Sequence, residues 1–132
     1  METEILLNEI KVMYVKSESG PQGAGYAFTG LESKLPSIKG RKFYGLILDD
    51  GKTYLSSVAI ADGDDPKALD CAVTSIPAGK YVKTKIWEWM DRLDEIYPTF
   101  RSLSKKYKED KCRPRIEFYR SQKELILLFP IL

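Results

Sequence analysis

Short stretches of alternating apolar and polar residues predict most of the strands in this chain. Over residues 5–15, β-branched and aromatic residues recur every second position in places, which is typical of a strand. The runs FYGLILD and KTYLSSVAI flank Asp50-Gly51, a dipeptide suited to a two-residue turn with positive φ. We therefore predict a first strand and, further along the chain, a β-hairpin.

A different spacing, of three to four residues, predicts two helical regions. The first region has apolar residues at Ala24, Phe28, Leu31 and Leu35 and ends at Pro36. The second region spans roughly six turns, with apolar residues at Ile86, Met90, Leu93, Tyr97, Phe100 and Tyr107. Because Pro98 disfavours a helical conformation for Tyr97, this region is predicted to form two helical pieces or a kinked helix.

The remaining segments have strand patterns again. CAVTSI and KYVKTKIW are predicted to form a strand pair joined at Pro77-Ala78-Gly79. RIEFYRS and the final apolar run ELILLFPIL are predicted to form a second hairpin, which turns at Gln122-Lys123.

The order of strand, helix and hairpin thus occurs twice, and each copy contains a Phe-Tyr dipeptide, at residues 43–44 and 118–119. We predict an α+β fold in a single domain over residues 1–132, made of two βαββ repeats at about residues 4–62 and 69–132. Such repeats would form a curved antiparallel sheet with helices on one face. The other face would be a groove, and grooves of this kind hold ligands.

Composition and charge exclude several classes of function. The 132 residues are 43% hydrophobic and 30% charged, as in ordinary globular domains, and the net charge of +2 gives no reason to expect nucleic-acid binding. The chain has no His, and its two cysteines, Cys71 and Cys112, form no CxxC motif. These absences exclude most zinc sites and every Ser-His or Cys-His dyad. No metal and no cofactor are expected.

The first ten residues, METEILLNEI, carry acidic residues and lack a long apolar core. They are therefore expected to be neither a signal peptide nor a membrane span. With no disulfide pattern, the expectation is a cytoplasmic, reduced protein without membrane contact.

The segments IPAGKY, RPRIEFY and the closing FPI resemble the GyrI-like family, also called the AraC-type effector-binding fold. GRKFYGLILDD followed by YLSSVAI resembles the first-half hairpin of the same family. The resemblance implies duplicated βαββ modules related by a pseudo-two-fold axis, which bind drug-like or cationic molecules between the halves. Some members carry DNA-binding domains and act as multidrug-responsive regulators. Since nothing precedes the first strand here, direct contact with nucleic acid is not expected.

Strand alternation in RIEFYRS places Ile116 and Phe118 on one face and Glu117 and Tyr119 on the other. If the first pair meets the helices, Glu117 faces the groove. The resemblance places a pocket carboxylate at this position, where Glu117 could neutralise a cationic ligand or act as an acid or base. The alternative is an exposed glutamate on a solvated sheet face.

Four further aromatic residues are candidates for contact with a ligand. Tyr81 and Trp87 share one face of KYVKTKIW. Tyr44 and Phe129 are suggested by the internal repeat. For each of the four, ordinary packing in the core is the alternative.

Three functions are consistent with these observations. The first is a small-molecule-binding protein that holds a hydrophobic or cationic compound in an aromatic pocket with a buried carboxylate. The second, implied by the resemblance, is a hydrolase that opens cyclopropane-containing natural products, with Glu117 and Tyr119 or Tyr44 as its catalytic residues. The third is a protein-interaction module such as a DNA gyrase inhibitor. Turnover separates the first two, and a protein partner identifies the third.

Overall fold

In a computed structural model, which describes residues 2–132, eight antiparallel strands form one sheet. The strands are β1 Thr3–Leu7, β2 Ile10–Lys16, β3 Phe43–Leu48, β4 Thr53–Ala59, β5 Ala72–Ile76, β6 Gly79–Trp87, β7 Arg115–Tyr119 and β8 Glu124–Pro130. Their order across the sheet is β1-β6-β8-β7-β3-β4-β2-β5.

Two α-helices accompany the sheet, α1 at Ala24–Lys34 and α2 at Ile96–Lys106. Helix α1 is confirmed as predicted, and it ends where Leu35 becomes extended, because a residue before proline disfavours the helical conformation. Short 3₁₀ turns occupy Gly20–Gly23, Asp49–Gly51, Trp89–Asp91 and Leu93–Glu95. In the described part of the chain, no helix has the length and apolar composition required to cross a membrane.

The second helical region differs from its prediction. Ile86 belongs to β6, the chain then forms the two 3₁₀ turns, and α2 begins only at Ile96. Pro98 therefore lies in the first turn of α2, and the chain bends before Pro98 instead of at it. In a first turn, proline loses no helical hydrogen bond, because the N–H groups there have no partner within the helix.

Replacing the exposed Pro98 by alanine is expected to change the free energy of unfolding by no more than about 1 kcal/mol. A proline inside the helix would behave differently, since its removal would restore a hydrogen bond and relieve a clash worth about 3 kcal/mol. Urea denaturation of the wild type and Pro98→Ala measures the difference. A gain of several kcal/mol would show that Pro98 breaks the helix after all.

The two predicted hairpins are confirmed, since β3 pairs with β4 and β7 pairs with β8. The predicted two-residue turn at Asp50-Gly51 is wrong. Leu48 pairs with Thr53, which leaves four residues in the turn. Asp49, Asp50 and Gly51 all have positive φ, and glycine adopts this conformation at the lowest cost.

The predicted strand pair at CAVTSI and KYVKTKIW is wrong in its pairing, although both segments are strands. β5 pairs with β2, whereas β6 pairs with β1 and β8. The first predicted strand, residues 5–15, is likewise two strands that lie far apart in the sheet. Tertiary pairing decided these partners, and the turn-like residues between the strands only allowed the chain to change direction.

The order of strands is symmetric about the contact between β7 and β3. On either side follow β8 or β4, then β6 or β2, and finally β1 or β5 at the edge. The α+β class and the curved antiparallel sheet with helices are confirmed. The bounds of the half-repeats, about 4–62 and 69–132, stay a prediction. Each edge strand pairs with a strand of the other proposed half, since β1 pairs with β6 and β5 pairs with β2.

Each face of the sheet has its own core. One cluster includes Ile76 from β5 and Tyr81 from β6, and Ile5 of β1 packs against it. Since β5 and β1 are at opposite ends of the strand order, the sheet curls around this cluster. The helices pack on the other face, where Leu127 and Phe129 of β8 contact residues of α2. A third cluster joins α1 to β2 and β4.

Candidate functional site

A cavity of about 1250 Å³ lies between α1 and α2, above strands β3, β4 and β7. Its lining includes a set of aromatic residues together with one buried acid: Phe28, Phe43, Tyr54, Trp89, Tyr97, Phe100, Tyr119 and Glu117. The cavity is therefore on the face that carries the helices. The prediction of a groove on the opposite face is wrong, because Ile116 and Phe118 pack in or against the cluster on the side away from the helices.

Glu117 of β7 is held by two tyrosine hydroxyls. Tyr54 from β4 and Tyr119 from β7 each donate a hydrogen bond of 2.6 Å to the same carboxylate oxygen, Oε1. The glutamate is only 5% exposed. Among residues 2–132, no protein group donates a hydrogen bond to Oε2. One oxygen of a buried carboxylate thus remains for a ligand.

Burial raises the pKa of Glu117 above its ordinary value, and the two tyrosine hydrogen bonds oppose that rise. Burial and the adjacent carboxylate raise the pKa of Tyr54 and of Tyr119 well above their ordinary value. Both phenols therefore stay protonated at neutral pH and act as donors. The cluster can hold either an anionic carboxylate or, at lower pH, a neutral carboxyl group.

Aromatic rings surround the carboxylate. Phe28 of α1 contacts Tyr54 and Tyr119 edge to face, with ring centroids 6.2 and 5.4 Å apart. Trp89 also contacts Tyr119 edge to face, with ring centroids 4.9 Å apart, and its indole nitrogen donates to the Ser121 carbonyl. Edge-to-face contacts of this kind fix ring orientation. The ring of Tyr119 is therefore held by contacts with residues from both helical regions.

The unpaired charges along the cavity are acidic. Every basic side chain that lines it lies within ion-pair distance of an acid: Arg41–Asp64, Lys111–Asp50, Arg113–Asp110, Arg115–Glu109 and Arg120–Glu124. Of the acids that line the cavity, Glu32, Asp49 and Glu117 have no basic partner among residues 2–132. This charge distribution favours the binding of a cation in the cavity.

The structure brings together only part of the predicted site. Glu117 and Tyr119 lie at the cavity. The other four predicted contact residues do not line it: Tyr44, Tyr81 and Phe129 are buried in core clusters, and Trp87 is exposed. Tyr44 stacks on Phe118, and the Tyr81 hydroxyl donates to the Pro77 carbonyl. For these four side chains the prediction of a place at the cavity is wrong.

Six aromatic residues of the cavity were missed, namely Phe28, Phe43, Tyr54, Trp89, Tyr97 and Phe100. Phe28 was assigned only to the apolar stripe of its helix. Met90, which was assigned only to the apolar stripe of the second helical region, lies at the cavity and is largely exposed. Residues 2–132 contain no group of three or more His, Cys, Asp or Glu side chains that could hold a metal ion.

No family model and no curated protein matches the sequence. Solved structures do match in fold. The C-terminal domain of EcmrR is similar at 12% identity and a TM-score of 0.72, covering 100% of this chain and 97% of that one. An integron cassette protein from the mobile metagenome of Vibrio cholerae is similar at 18% identity and a TM-score of 0.71, covering 99% and 95%.

A third similar structure is SAV2435 bound to tetraphenylphosphonium, at 11% identity and a TM-score of 0.63, covering 100% of this chain and 94% of that chain. At identities this low the three structures show a shared fold along nearly the whole chain.

Proposed function

We propose that this protein binds a hydrophobic organic cation in the cavity, with Glu117 as the opposing charge, and that it is a member of the GyrI-like family. One observation carries the proposal. Glu117 is buried among aromatic rings, is hydrogen-bonded only by phenols, and has no basic partner among residues 2–132.

An unpaired buried carboxylate is expensive for the folded state, because burial removes it from water. Two phenol hydrogen bonds offset part of this cost but leave the charge uncompensated. A ligand cation beside Oε2 would compensate the charge. The surrounding ring faces add cation–π attraction and apolar contact. The same features would exclude an anion of equal size.

The fold and the sequence resemblance support the choice of ligand class. The structure of SAV2435, which shares this fold, has bound tetraphenylphosphonium, a lipophilic cation. The cavity of about 1250 Å³ is large enough for such a molecule. Residues from both proposed half-repeats line the cavity, such as Tyr54 from the first and Glu117 from the second. We therefore propose that the two half-repeats form one binding unit.

Tetraphenylphosphonium and tetraphenylborate, which share one shape and differ in the sign of charge, test the proposal. By calorimetric titration at pH 7, the phosphonium is expected to bind at least about tenfold more tightly, the effect of roughly one charge-assisted contact. Equal affinity for both ions, or tighter binding of the borate, would show that Glu117 does not select for cations.

The same cluster supports one alternative, the hydrolase implied by the resemblance. Glu117 and the hydroxyl of Tyr119 are in hydrogen-bond contact, so a proton could pass between a substrate and this pair. The discriminating measurement is turnover. A cyclopropane-containing substrate that is opened by the wild type but not by Glu117→Gln would favour the hydrolase, whereas stable binding without product would favour the binding protein.

A further inference from the structure

The Tyr54 side chain reaches Glu117 only by crossing a strand. β3 lies between β4, which carries Tyr54, and β7, which carries Glu117. The crossing point is Gly45, which pairs with Ser56 on one side and with Glu117 on the other. A Cβ atom at Gly45 would lie 2.7 Å from Glu117 Oε1 and 2.5 Å from Tyr54 Cζ, and closer still to the tyrosine hydroxyl.

The conformation of the backbone does not explain this glycine. The glycines with positive φ are at positions 20, 40, 51, 63 and 79, and Gly45 is not among them. Glycine inside a strand lowers the stability of the fold, because it loses more backbone entropy on folding than other residues do and has no side chain to pack. What Gly45 provides is space, and the atoms that occupy this space are the Tyr54 phenol and the Glu117 carboxylate.

We propose that Gly45 is a positioning residue for cation binding: its missing side chain lets the Tyr54 hydroxyl cross β3 and donate to Glu117, which favours the anionic form of that carboxylate. The inference rests on the proposed function for its effect on ligands. The structural part of the inference applies to the protein without ligand. In that part, Gly45 controls the protonation state of Glu117 by making room for the Tyr54 hydroxyl.

The other ionisable groups around the cavity contribute less to the protonation state of Glu117. Besides the two tyrosines, the ionisable residues that line the cavity are Glu32 of α1, Arg41 before β3, Tyr97 of α2, Asp49 and Asp50 of the β3–β4 turn, Glu109, Lys111 and Arg113 before β7, Arg115 on β7, and Arg120 after it. None of them hydrogen-bonds Glu117. Only burial and the two phenols shift its pKa, so loss of the Tyr54 bond would raise that pKa further.

The test is Gly45→Ala, with Tyr54→Phe as the variant that removes the hydroxyl directly and Gly30→Ala as the control. Gly30 is on α1, and a Cβ there would meet no atom within 4 Å. In ligand-free protein, titration of the Glu117 carboxyl by ¹³C NMR is expected to give a higher pKa in Gly45→Ala and Tyr54→Phe than in the wild type and Gly30→Ala. Tetraphenylphosphonium binding at pH 7 is expected to be about three- to tenfold weaker in the first two variants, and to recover as pH is raised.

A second comparison separates positioning from a general loss of folding. Leucine at position 54 has no atom in place of the phenol end, whereas the close contact with Glu117 Oε1 remains. The destabilisation by Gly45→Ala, measured by urea denaturation, should therefore be smaller in a Tyr54→Leu background. An equal loss in both backgrounds, or an unchanged Glu117 pKa in folded Gly45→Ala, would overturn the inference. If the wild type binds no cation while the Glu117 titration shifts as expected, the proposed function fails and the positioning role stands.

Discussion

Glu117→Gln is expected to bind tetraphenylphosphonium about 10- to 100-fold more weakly than the wild type at pH 7, which is a loss of about 1.5–3 kcal/mol. Glutamine has the same size, and its oxygen can still accept hydrogen bonds from Tyr54 and Tyr119. The substitution removes the charge and replaces the other carboxylate oxygen by an amide NH2 group. Calorimetric titration of both proteins measures the loss directly.

The same substitution is expected to stabilise the fold at pH 7, by about 1 kcal/mol. The pKa of Glu117 is raised in the folded state, so its contribution to stability is fully present below the unfolded-state pKa and is lost as pH rises through the folded-state pKa. Glutamine avoids this loss. The gain in melting temperature should therefore be present at pH 7 and disappear below pH 4.5, the ordinary value for this group.

Glu124→Gln is the matched control, because Glu124 is as buried as Glu117, at 4% and 5% exposed. Glu124 lies outside the cavity and pairs with Arg120 and Lys85. The control makes the same change of net charge but should weaken phosphonium binding far less than Glu117→Gln does, although it leaves Arg120 at the cavity without its acidic partner. If Glu124→Gln weakens binding as much as Glu117→Gln, overall charge and not the buried carboxylate attracts the cation.

The place of Glu117 could be predicted from the sequence only in part. Alternation in RIEFY correctly places Glu117 and Tyr119 on one face and Ile116 and Phe118 on the other, because a strand has a strict period of two. The pattern does not say which face meets the helices. Both faces of β7 contact apolar neighbours, so the pattern of polarity contained no information on that choice.

The internal repeat led to the wrong placement of Tyr44 at the site, and the register of β3 and β7 shows why. Equating the two Phe-Tyr dipeptides makes Tyr44 equivalent to Tyr119. In the antiparallel pair, Tyr119 is opposite Phe43, and Tyr44 is opposite Phe118. A shift of one residue exchanges the two faces of a strand. Phe43 therefore lines the cavity with Tyr119, whereas Tyr44 lies in the core.

Tyr54 was missed because its partner lies two strands away, and no periodicity within one strand relates such residues. One signal in the sequence could have located it. The glycine in FYGLILD stands inside a strand, which is typical of a place where another group approaches the backbone closely. The approaching group is the Tyr54 phenol. Pairing order, which the sequence does not show, was needed to identify it.

Cation binding by the wild type is expected to fall about tenfold for each unit of pH below the pKa of Glu117. The ionised carboxylate attracts the cation, and the protonated carboxyl group does not. Because burial raises the pKa of Glu117 in the ligand-free protein, the decrease in affinity should begin above pH 4.5. Bound cation favours the ionised form, so binding at such a pH should also release protons, which calorimetry in buffers of different ionisation enthalpy measures.

Glu117→Gln supplies the baseline for this pH profile, because its residual affinity comes from the aromatic rings and has no titrating group at position 117. Its affinity should stay nearly constant from pH 4 to pH 8, and the wild-type curve should approach it at the acidic end. Other acids at the cavity, such as Glu32 and Asp49, remain in the variant, so any pH dependence that they cause would appear in both proteins. A wild-type profile parallel to that of the variant would exclude Glu117 as the group that binds the cation.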